Sequence, residues 1–360
     1  MKKYRYISLL LTLFFALVSP LSFGQKLDCR QKKTLKNLKK DIAYLASDEL
    51  MGRATGTEGE RKSAEFIARS FQANGLTPKG EQGYFQKFKI TTLRIADKKT
   101  KFNLNGKDLA LYGEFYPLSY SSNSGSASSG IVDAGYGIVN DTRNDYKDID
   151  AKGKVVFINL GSPDGIHPHS KFLAWHGISI RVDEAIKHGA KGVVFYRSSE
   201  NVERPSGDLS LTMKPSQIPV LYLDHVRNDI SNLAFASIDM RIMVDEDTGY
   251  NVIGFKDNGA KTTVVIGAHH DHLGQGQHGN SLADNPNEIH NGADDNASGT
   301  AALSALAKQL KKAKKWNKQN NYLFIAFSGE EMGLLGSKYF VNNPTVDLTA
   351  VNYMMNMDMI

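Results

Sequence analysis

Residues 262–272 read TTVVIGAHHDH, an apolar, β-branched run that leads directly into three histidines and an aspartate. Similar short apolar runs lie at residues 251–255, 322–327 and 351–357, and a helical pattern fills residues 299–315. Near-continuous apolar strands that alternate with helices are typical of parallel strands covered on both faces. The sequence therefore predicts an α/β fold with a mostly parallel, doubly covered sheet in the C-terminal part.

Histidines and acidic residues follow the carboxyl ends of these predicted strands or precede the predicted helix. They are His269, His270, Asp271, His272, Asp294, Asp295, Glu330, Glu331 and Asp358. In an open parallel sheet, the ligand crevice lies outside the carboxyl ends of the strands. We therefore expect four separate segments to deliver imidazole and carboxylate groups to one crevice.

Carboxylates gathered in one crevice repel one another unless a cation compensates their charge. A divalent ion does so, and mixed imidazole and carboxylate ligands suit zinc better than magnesium or calcium. Each segment alone is ambiguous, because a His-x-Asp pair is usually exposed and Asp-Asp-Asn before a helix is usually an N-cap. Their common position at successive strand ends favours a zinc site. The single cysteine, Cys29, excludes a cysteine cluster.

Four motifs resemble, in order, those of the secreted double-zinc aminopeptidase family. They read GAHHDHLG at 267–274, NGADDNASG at 291–299, FSGEEMGLLGS at 327–337 and NMDMI at 356–360. The run LASDELMGRATGT at 45–57 also resembles the opening segment of bacterial members. This resemblance covers almost all of the chain after residue 24. It implies a zinc exopeptidase-like fold, peptide substrates and the release of N-terminal residues.

The resemblance also implies a role for individual residues. The zinc ligands would be His269, Asp295, Glu331 and Asp358, with Asp295 bridging two zinc ions. Glu330 would be the general base that takes a proton from a water between the two ions, and Asp271 would orient His269.

The sequence departs from this family in one respect. Family members carry a final histidine ligand well beyond the segment that holds Asp358, whereas this sequence ends at Ile360. We therefore expect a C-terminally truncated chain whose second zinc site lacks one ligand. Such a chain is expected to expose apolar surface at the sheet edge, to aggregate, and to be weakly active or inactive. His278 and His290, expected to be structural, are the first candidates for a replacement ligand.

The middle of the sequence predicts a small inserted domain. A Ser/Gly-rich stretch at residues 119–130 predicts a linker, and a strand-helix-strand pattern follows it. The motifs GYG at 135–137, KGKVV at 152–156 and HGAKGV at 188–193 are similar to those of a protease-associated domain. We therefore expect four segments: a signal peptide at 1–24, an N-terminal part of the peptidase domain at 25–118, the insert at 119–240, and the zinc peptidase domain at 241–360.

The first residues resemble a secretory signal peptide, with Lys2, Lys3 and Arg5 before an apolar stretch at 7–23. An uncleaved membrane anchor is the alternative, although Pro20 and the short apolar run count against it. Cleavage after residue 24 would remove three of the 44 Lys and Arg residues and leave 41 against 38 Asp and Glu. So small a surplus does not predict nucleic-acid binding. We expect a secreted or periplasmic protein without stable membrane insertion.

Three alternatives to the aminopeptidase remain open at this point. A single-zinc transferase similar to glutaminyl cyclases would use much the same motifs, and metal stoichiometry would distinguish it. An inactive peptide-binding protein would keep the crevice without turnover, and the intact Glu330 counts against it. A carboxypeptidase would hold the other end of the peptide, which zinc motifs alone do not reveal.

Overall fold

The structure, a computed structural model, describes residues 27–226, 230–283, 285, 288–311 and 318–360. The predicted signal peptide at 1–24 lies outside the described residues, and so does the end of the helix predicted at 299–315. Within the described ranges, no helix combines the length and the apolar composition that crossing a membrane requires.

The described residues form five α-helices and fifteen strands. The helices are α1 Cys29–Leu45, α2 Glu58–Ala73, α3 Ile178–Lys187, α4 Gly299–Leu310 and α5 Leu335–Asn342. The strands are β1 Thr77–Pro78, β2 Phe85–Ala96, β3 Lys101–Leu104, β4 Lys107–Asp108, β5 Phe115–Pro117, β6 Ser124–Asp133, β7 Val139–Asn140, β8 Arg143–Asn144, β9 Val155–Asn159, β10 Gly192–Arg197, β11 Val220–Val226, β12 Phe235–Lys256, β13 Thr263–His269, β14 Asn321–Phe327 and β15 Val351–Asn356. Short 3-10 helices lie at Asp48–Arg53, Leu173–Trp175 and Leu348–Ala350, and an irregular helical turn lies at Ala293–Ser298.

One mixed sheet contains thirteen of these strands, in the order β15-β13-β14-β12-β6-β9-β10-β11-β5. Strands β1, β2 and β3 also pair with β12, and β4 pairs with β3. The chain thus builds two regions on one sheet. We call strands β12 to β15 with their helices the C-terminal region. We call the neighbouring strands β6, β9, β10, β11 and β5 with helix α3 the insert.

Strands β13, β14 and β15 of the C-terminal region are parallel, and β12 joins β14 in the antiparallel sense. Helices α2 and α4 cover one face, where Phe71 and Leu303 pack with Phe324. Helix α5 covers the opposite face, where Phe340 packs with Ile325. Burial of both sheet faces explains why β13 and β14 read as continuous apolar runs. The predicted α/β fold is confirmed.

Helix α2 forms because its sequence supplies both an apolar stripe and the residues that begin and end a helix. Ala64, Ile67 and Phe71 recur at helical spacing and are fully buried. The Thr57 side chain caps the first turn by accepting from the Glu60 N–H. Gly75 follows the helix with φ +74°, a conformation that favours glycine.

The insert has its own two-faced core. Helix α3 covers one face, where Val182 packs with Tyr222, and the other face buries Phe102, Phe115 and Ile238. Strands β3 and β5 precede the predicted domain boundary at residue 119, yet Phe102, Leu104 and Phe115 belong to this core. Residues 101–118 therefore pack as part of the insert.

The predicted linker at residues 119–130 is wrong for most of its length. Residues 124–133 form β6, which pairs with β12 on one side and with β9 on the other. Small side chains suit this position because the neighbouring layers are close: Ala127 is 1% exposed, and a Cβ at Gly192 would lie 3.2 Å from the Cβ of Ala127. Backbone pairing on both sides therefore makes residues 124–130 part of the sheet despite their Ser/Gly composition.

Strand β12 connects the two regions without a break. Its first residues, 235–241, pair with β6 of the insert, and its last residues, 252–256, pair with β14 of the C-terminal region. Strand β2 pairs along residues 242–252 between them. Because this one strand pairs with strands of both regions, backbone pairing fixes their relative position.

Strand β15 ends the sheet, and among the described residues it pairs only with β13. Tyr353, Met354 and Met355 are each about half exposed there. The strand leads into Asp358, so the carboxyl ends of β13, β14 and β15 lie at one edge of the C-terminal region.

Candidate metal centre

His269, at the end of β13, is oriented from both sides. The Thr300 hydroxyl donates to its main-chain oxygen at 2.7 Å. Its Nδ1 lies 3.1 Å from the main-chain oxygen of Asp271 and 3.7 Å from the Oδ1 of that residue. This arrangement leaves Nε2 free to point at the crevice, where it lies 3.1 Å from Asp295 Oδ1 and 3.3 Å from Asp358 Oδ1.

A second group of ligand atoms lies next to the first and shares Asp295 with it. His272 Nδ1 lies 2.7 Å from Glu331 Oε1 and 4.0 Å from Asp295 Oδ1. Within each group, the three ligand atoms all lie within 4.8 Å of one another. The structure thus brings together all four predicted ligands, His269, Asp295, Glu331 and Asp358, and adds His272.

His272 is absent from the predicted ligand set, because the family resemblance assigns a metal to only the first histidine of this run. The available signal was its place in His269-His270-Asp271-His272. His269 and His272, three residues apart, both face the crevice. The main chain turns between them because the His272 N–H donates to the Arg53 carbonyl at 3.1 Å.

The electrostatics of the crevice show a concentration of negative charge. Burial lowers the pKa of His269, but Asp271 and the surrounding carboxylates outweigh it and raise the pKa to about 9. Burial and the neighbouring Glu331 raise the pKa of Asp295. A divalent cation relieves this repulsion, and two imidazole-carboxylate groups with no sulfur ligand match the donor set of zinc. The chemistry of each group therefore fits a divalent cation such as zinc.

Asn296 ties the loop of Asp295 to the segment of Asp358. Its Nδ2 donates to the Met357 oxygen at 3.0 Å, and its Oδ1 accepts from the N–H of Gly299 at 3.0 Å and of Met359 at 3.3 Å. The turn begins at Gly292, whose φ is +59°. A Cβ there would collide with the Asp295 oxygen and the His272 ring, so the close approach of the two loops requires glycine.

Asp271 is fully buried and holds the turn that carries the two glutamates. Its carboxylate accepts from the N–H of Glu330 at 3.2 Å, from the N–H of Glu331 at 3.3 Å, and from the Thr55 hydroxyl at 2.9 Å. Burial tends to raise the pKa of Asp271, but the hydrogen bond and charge of His269 keep it below its ordinary value. Asp271 therefore remains ionised and positions both His269 and the glutamate turn.

Glu330 and its neighbour Glu331 line different cavities. Glu330 lines, together with His269 and Phe327, a cavity of about 240 Å³ beside the first metal group. Burial is the largest influence on its pKa, which is raised. A carboxylate of raised pKa at the edge of a metal group suits proton transfer.

Arg53 connects three segments behind the metal centre. It lies in the motif at residues 45–57, which predicted no role for it. The side chain is 1% exposed. Its guanidinium donates to the carbonyls of Leu45, His270, Asn291 and Gly292. Burial lowers its pKa to about 10, so it stays protonated, and its charge is offset by the carboxylates of the metal groups.

We expect Arg53→Lys to weaken both the fold and the zinc affinity. A single ammonium group cannot reach carbonyls that one planar guanidinium bridges, and each hydrogen bond from a charged donor contributes about 1.5–3 kcal/mol. The free energy of unfolding should fall by about 2–4 kcal/mol on this basis. Zinc affinity, measured by competition with a chelator, should fall about 10–100-fold, as for other residues that support metal ligands.

Arg61→Lys on the exposed face of α2 is the matched control, and it should change the unfolding free energy by less than about 0.5 kcal/mol. Unchanged zinc affinity in a destabilised Arg53→Lys chain would show that Arg53 supports the fold alone.

Three other histidines near the crevice have different partners. His270 is fully buried, with Nε2 2.8 Å from the Tyr250 oxygen and Nδ1 3.2 Å from the Ser63 hydroxyl. His278 Nδ1 lies 3.1 Å from Met332 Sδ, and His290 Nε2 lies 2.8 Å from the Ser281 hydroxyl. Among the described residues, none of the three belongs to a metal group.

The C-terminal segment is similar to a known protein family. Residues 251–360, which contain every ligand of both groups, match the model of peptidase family M28. Over these residues, the match agrees with the motif resemblance.

Relatives of known description extend the similarity along the chain. Aminopeptidase YwaD of Bacillus subtilis is 26% identical over 329 residues, which are 87% of this chain and 59% of that protein. A probable leucine aminopeptidase of Trichophyton verrucosum is 34% identical over 113 residues, or 31% of this chain and 28% of that protein. The chain therefore spans about three fifths of the length of YwaD.

A solved aminopeptidase from Aneurinibacillus sp. strain AM-1 shares the fold. It has 22% sequence identity and a TM-score of 0.50, and the match covers 90% of this chain and 70% of that one.

Proposed function

We propose that this chain acts as a zinc-dependent exopeptidase, specifically an aminopeptidase that removes N-terminal residues from peptides. The observation that carries the proposal is the pair of His-carboxylate groups that share Asp295. The match to peptidase family M28 and the aminopeptidase relatives support the same reaction.

In this proposal, His269, Asp295 and Asp358 hold one zinc ion, and His272, Asp295 and Glu331 hold the other. When bound, the ions supply Lewis-acid polarisation of the scissile carbonyl. The shared Asp295 keeps the two sites adjacent, and Asn296 fixes the distance between its loop and the Asp358 segment.

Glu330 performs the proton transfers. Its carboxylate takes a proton from the attacking water, which forms a bond to the scissile carbonyl carbon. The same oxygen then gives the proton to the leaving amine as the peptide bond breaks. The raised pKa of Glu330 makes it a stronger base than an exposed glutamate, and Asp271 holds its main chain in place.

We further propose export of the protein, on the basis of the charged and apolar pattern at residues 1–24. The insert, with its similarity to a protease-associated domain, contributes none of the proposed metal ligands. Its proposed role is to control which peptides reach the crevice.

Removal and return of zinc tests the proposed function. Treatment with a chelator should abolish hydrolysis of chromogenic aminoacyl substrates, and added zinc should restore it with two ions bound per chain. The reason is that each His-carboxylate group places three ligand atoms within 4.8 Å of one another, and catalytic zinc is commonly held by three protein ligands and a water. Metal content by mass spectrometry and the rate of substrate hydrolysis are the measurements.

Other outcomes would favour the alternatives. A single zinc ion, with release of ammonia from N-terminal glutamine, would support the cyclase. Cleavage of peptides with a blocked N-terminus would support a carboxypeptidase. Zinc binding with no turnover of any peptide would support a binding protein.

A further inference from the structure

A cavity of about 560 Å³ lies between the insert and the metal centre. One wall comes from residues 208–212 of the insert together with Ser119. The opposite wall comes from residues 278–280 and 331–333, and so includes the metal-group residue Glu331. Cavities that hold small ligands in proteins measure about 300–1,000 Å³, so this one has room for an amino-acid residue of a peptide.

The insert wall is fixed at its start. The Tyr116 hydroxyl donates to the Pro205 oxygen at 2.7 Å, and the Ser119 hydroxyl donates to the Asp208 oxygen at 2.7 Å. Ser210 donates its N–H back to the Ser119 hydroxyl at 3.0 Å. The wall therefore has a set shape before any ligand arrives.

Residues outside the insert hold the rest of this wall in place. Arg94 of β2 is buried and donates to the carbonyls of Ser119 and Ser210 at 2.8 and 3.0 Å. Leu211 packs against Phe88 and Met332, which lies next to Glu331 in sequence. The insert segment is thus attached directly to the residues that carry the metal centre.

The charge of this cavity comes from few groups. Arg94 lies behind the wall with its donors directed at carbonyl and amide oxygens. The carboxylate of Glu331 belongs to a metal group, which leaves Asp208 as the uncompensated charge. Asp208 accepts from the Ser206 hydroxyl at 3.0 Å, and within the described ranges it forms no ion pair with Lys or Arg.

We propose that this cavity is a subsite for a substrate residue beside the scissile bond, and that Asp208 of the insert favours a basic side chain there. The inference rests on the proposed peptidase function, because it takes Glu331 as a metal ligand next to the reacting bond. The geometry brings the insert segment to one end of the cavity and the metal group to the other. The insert thereby selects substrates by direct contact.

Peptide binding tests the subsite without turnover. Calorimetry would use the zinc-loaded chain with Glu330→Gln and four tripeptides: Lys-Leu-Leu, Leu-Lys-Leu, Glu-Leu-Leu and Leu-Glu-Leu. At one of the two positions, the lysine peptide should bind about two- to fivefold more tightly than its glutamate counterpart, the range of a partly exposed ion pair. Adding Asp208→Asn should make the ratio of lysine-peptide to glutamate-peptide affinity about one. Adding Asp208→Lys instead should make the glutamate peptide bind more tightly.

Asp141→Asn is the matched control, because Asp141 is an exposed acid of the insert that does not line the cavity. It should leave the lysine-to-glutamate ratio unchanged. Equal affinities at both positions in the parent, or a ratio that persists in Asp208→Asn, would overturn the subsite. Failure of the proposed function would give a different result. In that case the zinc-loaded parent chain, with Glu330 intact, would hydrolyse none of the four peptides.

Discussion

Glu330→Gln should lower the rate of peptide hydrolysis by about 10²–10⁴-fold, the usual contribution of a general base, with zinc content unchanged. Glutamine has nearly the same shape but cannot take a proton from water. Glu330 belongs to neither group of ligand atoms, so its substitution removes no metal contact. The measurements are kcat on an aminoacyl substrate and zinc per chain by mass spectrometry.

Glu331→Gln is the matched comparison, since it changes the adjacent residue in the same way. Glu331 lies 2.7 Å from His272 within the second metal group, so its substitution should lose zinc as well as rate. If both variants lost the same amount of zinc, the assignment of base and ligand to these neighbours would be wrong.

Asp295→Ala should abolish binding of both zinc ions, because its carboxylate is the one component common to the two groups. His272→Ala should remove one ion and leave the group of His269 intact. Equilibrium dialysis against zinc, followed by metal analysis, distinguishes the two results. Retention of both ions in His272→Ala would show that this imidazole is not a ligand.

The unfolding temperature of Asp295→Ala is a second expected result. Burial and Glu331 raise the pKa of Asp295, so its charge is unfavourable in the absence of a cation. In the presence of a chelator, the variant should therefore unfold at the same temperature as the parent chain or above it. A lower unfolding temperature would mean that loss of zinc reflects a damaged fold.

The C-terminal region was predictable from sequence because its signals are local. Buried parallel strands read as continuous apolar runs, and the ligands follow the strand ends directly. Motif resemblance assigned His269, Asp295, Glu331 and Asp358 without knowledge of distances. The place of His272 depended on how the main chain turns after β13, which is set by pairing with Arg53, more than 200 residues earlier.

The insert was less predictable because its contacts join distant segments. The Ser/Gly-rich stretch has a composition typical of a linker, and only its pairing with β9 and β12 makes it a strand. The apolar run at 251–255 marked one end of a strand that begins at Phe235, since the exposed middle of β12 carries no apolar pattern. Arg53 gave no local signal either, because its four acceptors lie in three separate segments.

The continuous strand β12 limits how this architecture can be recombined. A chimaera that joins the insert of one relative to the C-terminal region of another has to cut within a single continuous strand. A shift of one residue in that strand would turn every side chain to the opposite face. Exchange is therefore easiest when residues 235–256 stay whole and the loop at 205–213 is replaced alone. Variation in substrate choice among related genes should accordingly concentrate in that loop, while the length of β12 stays constant.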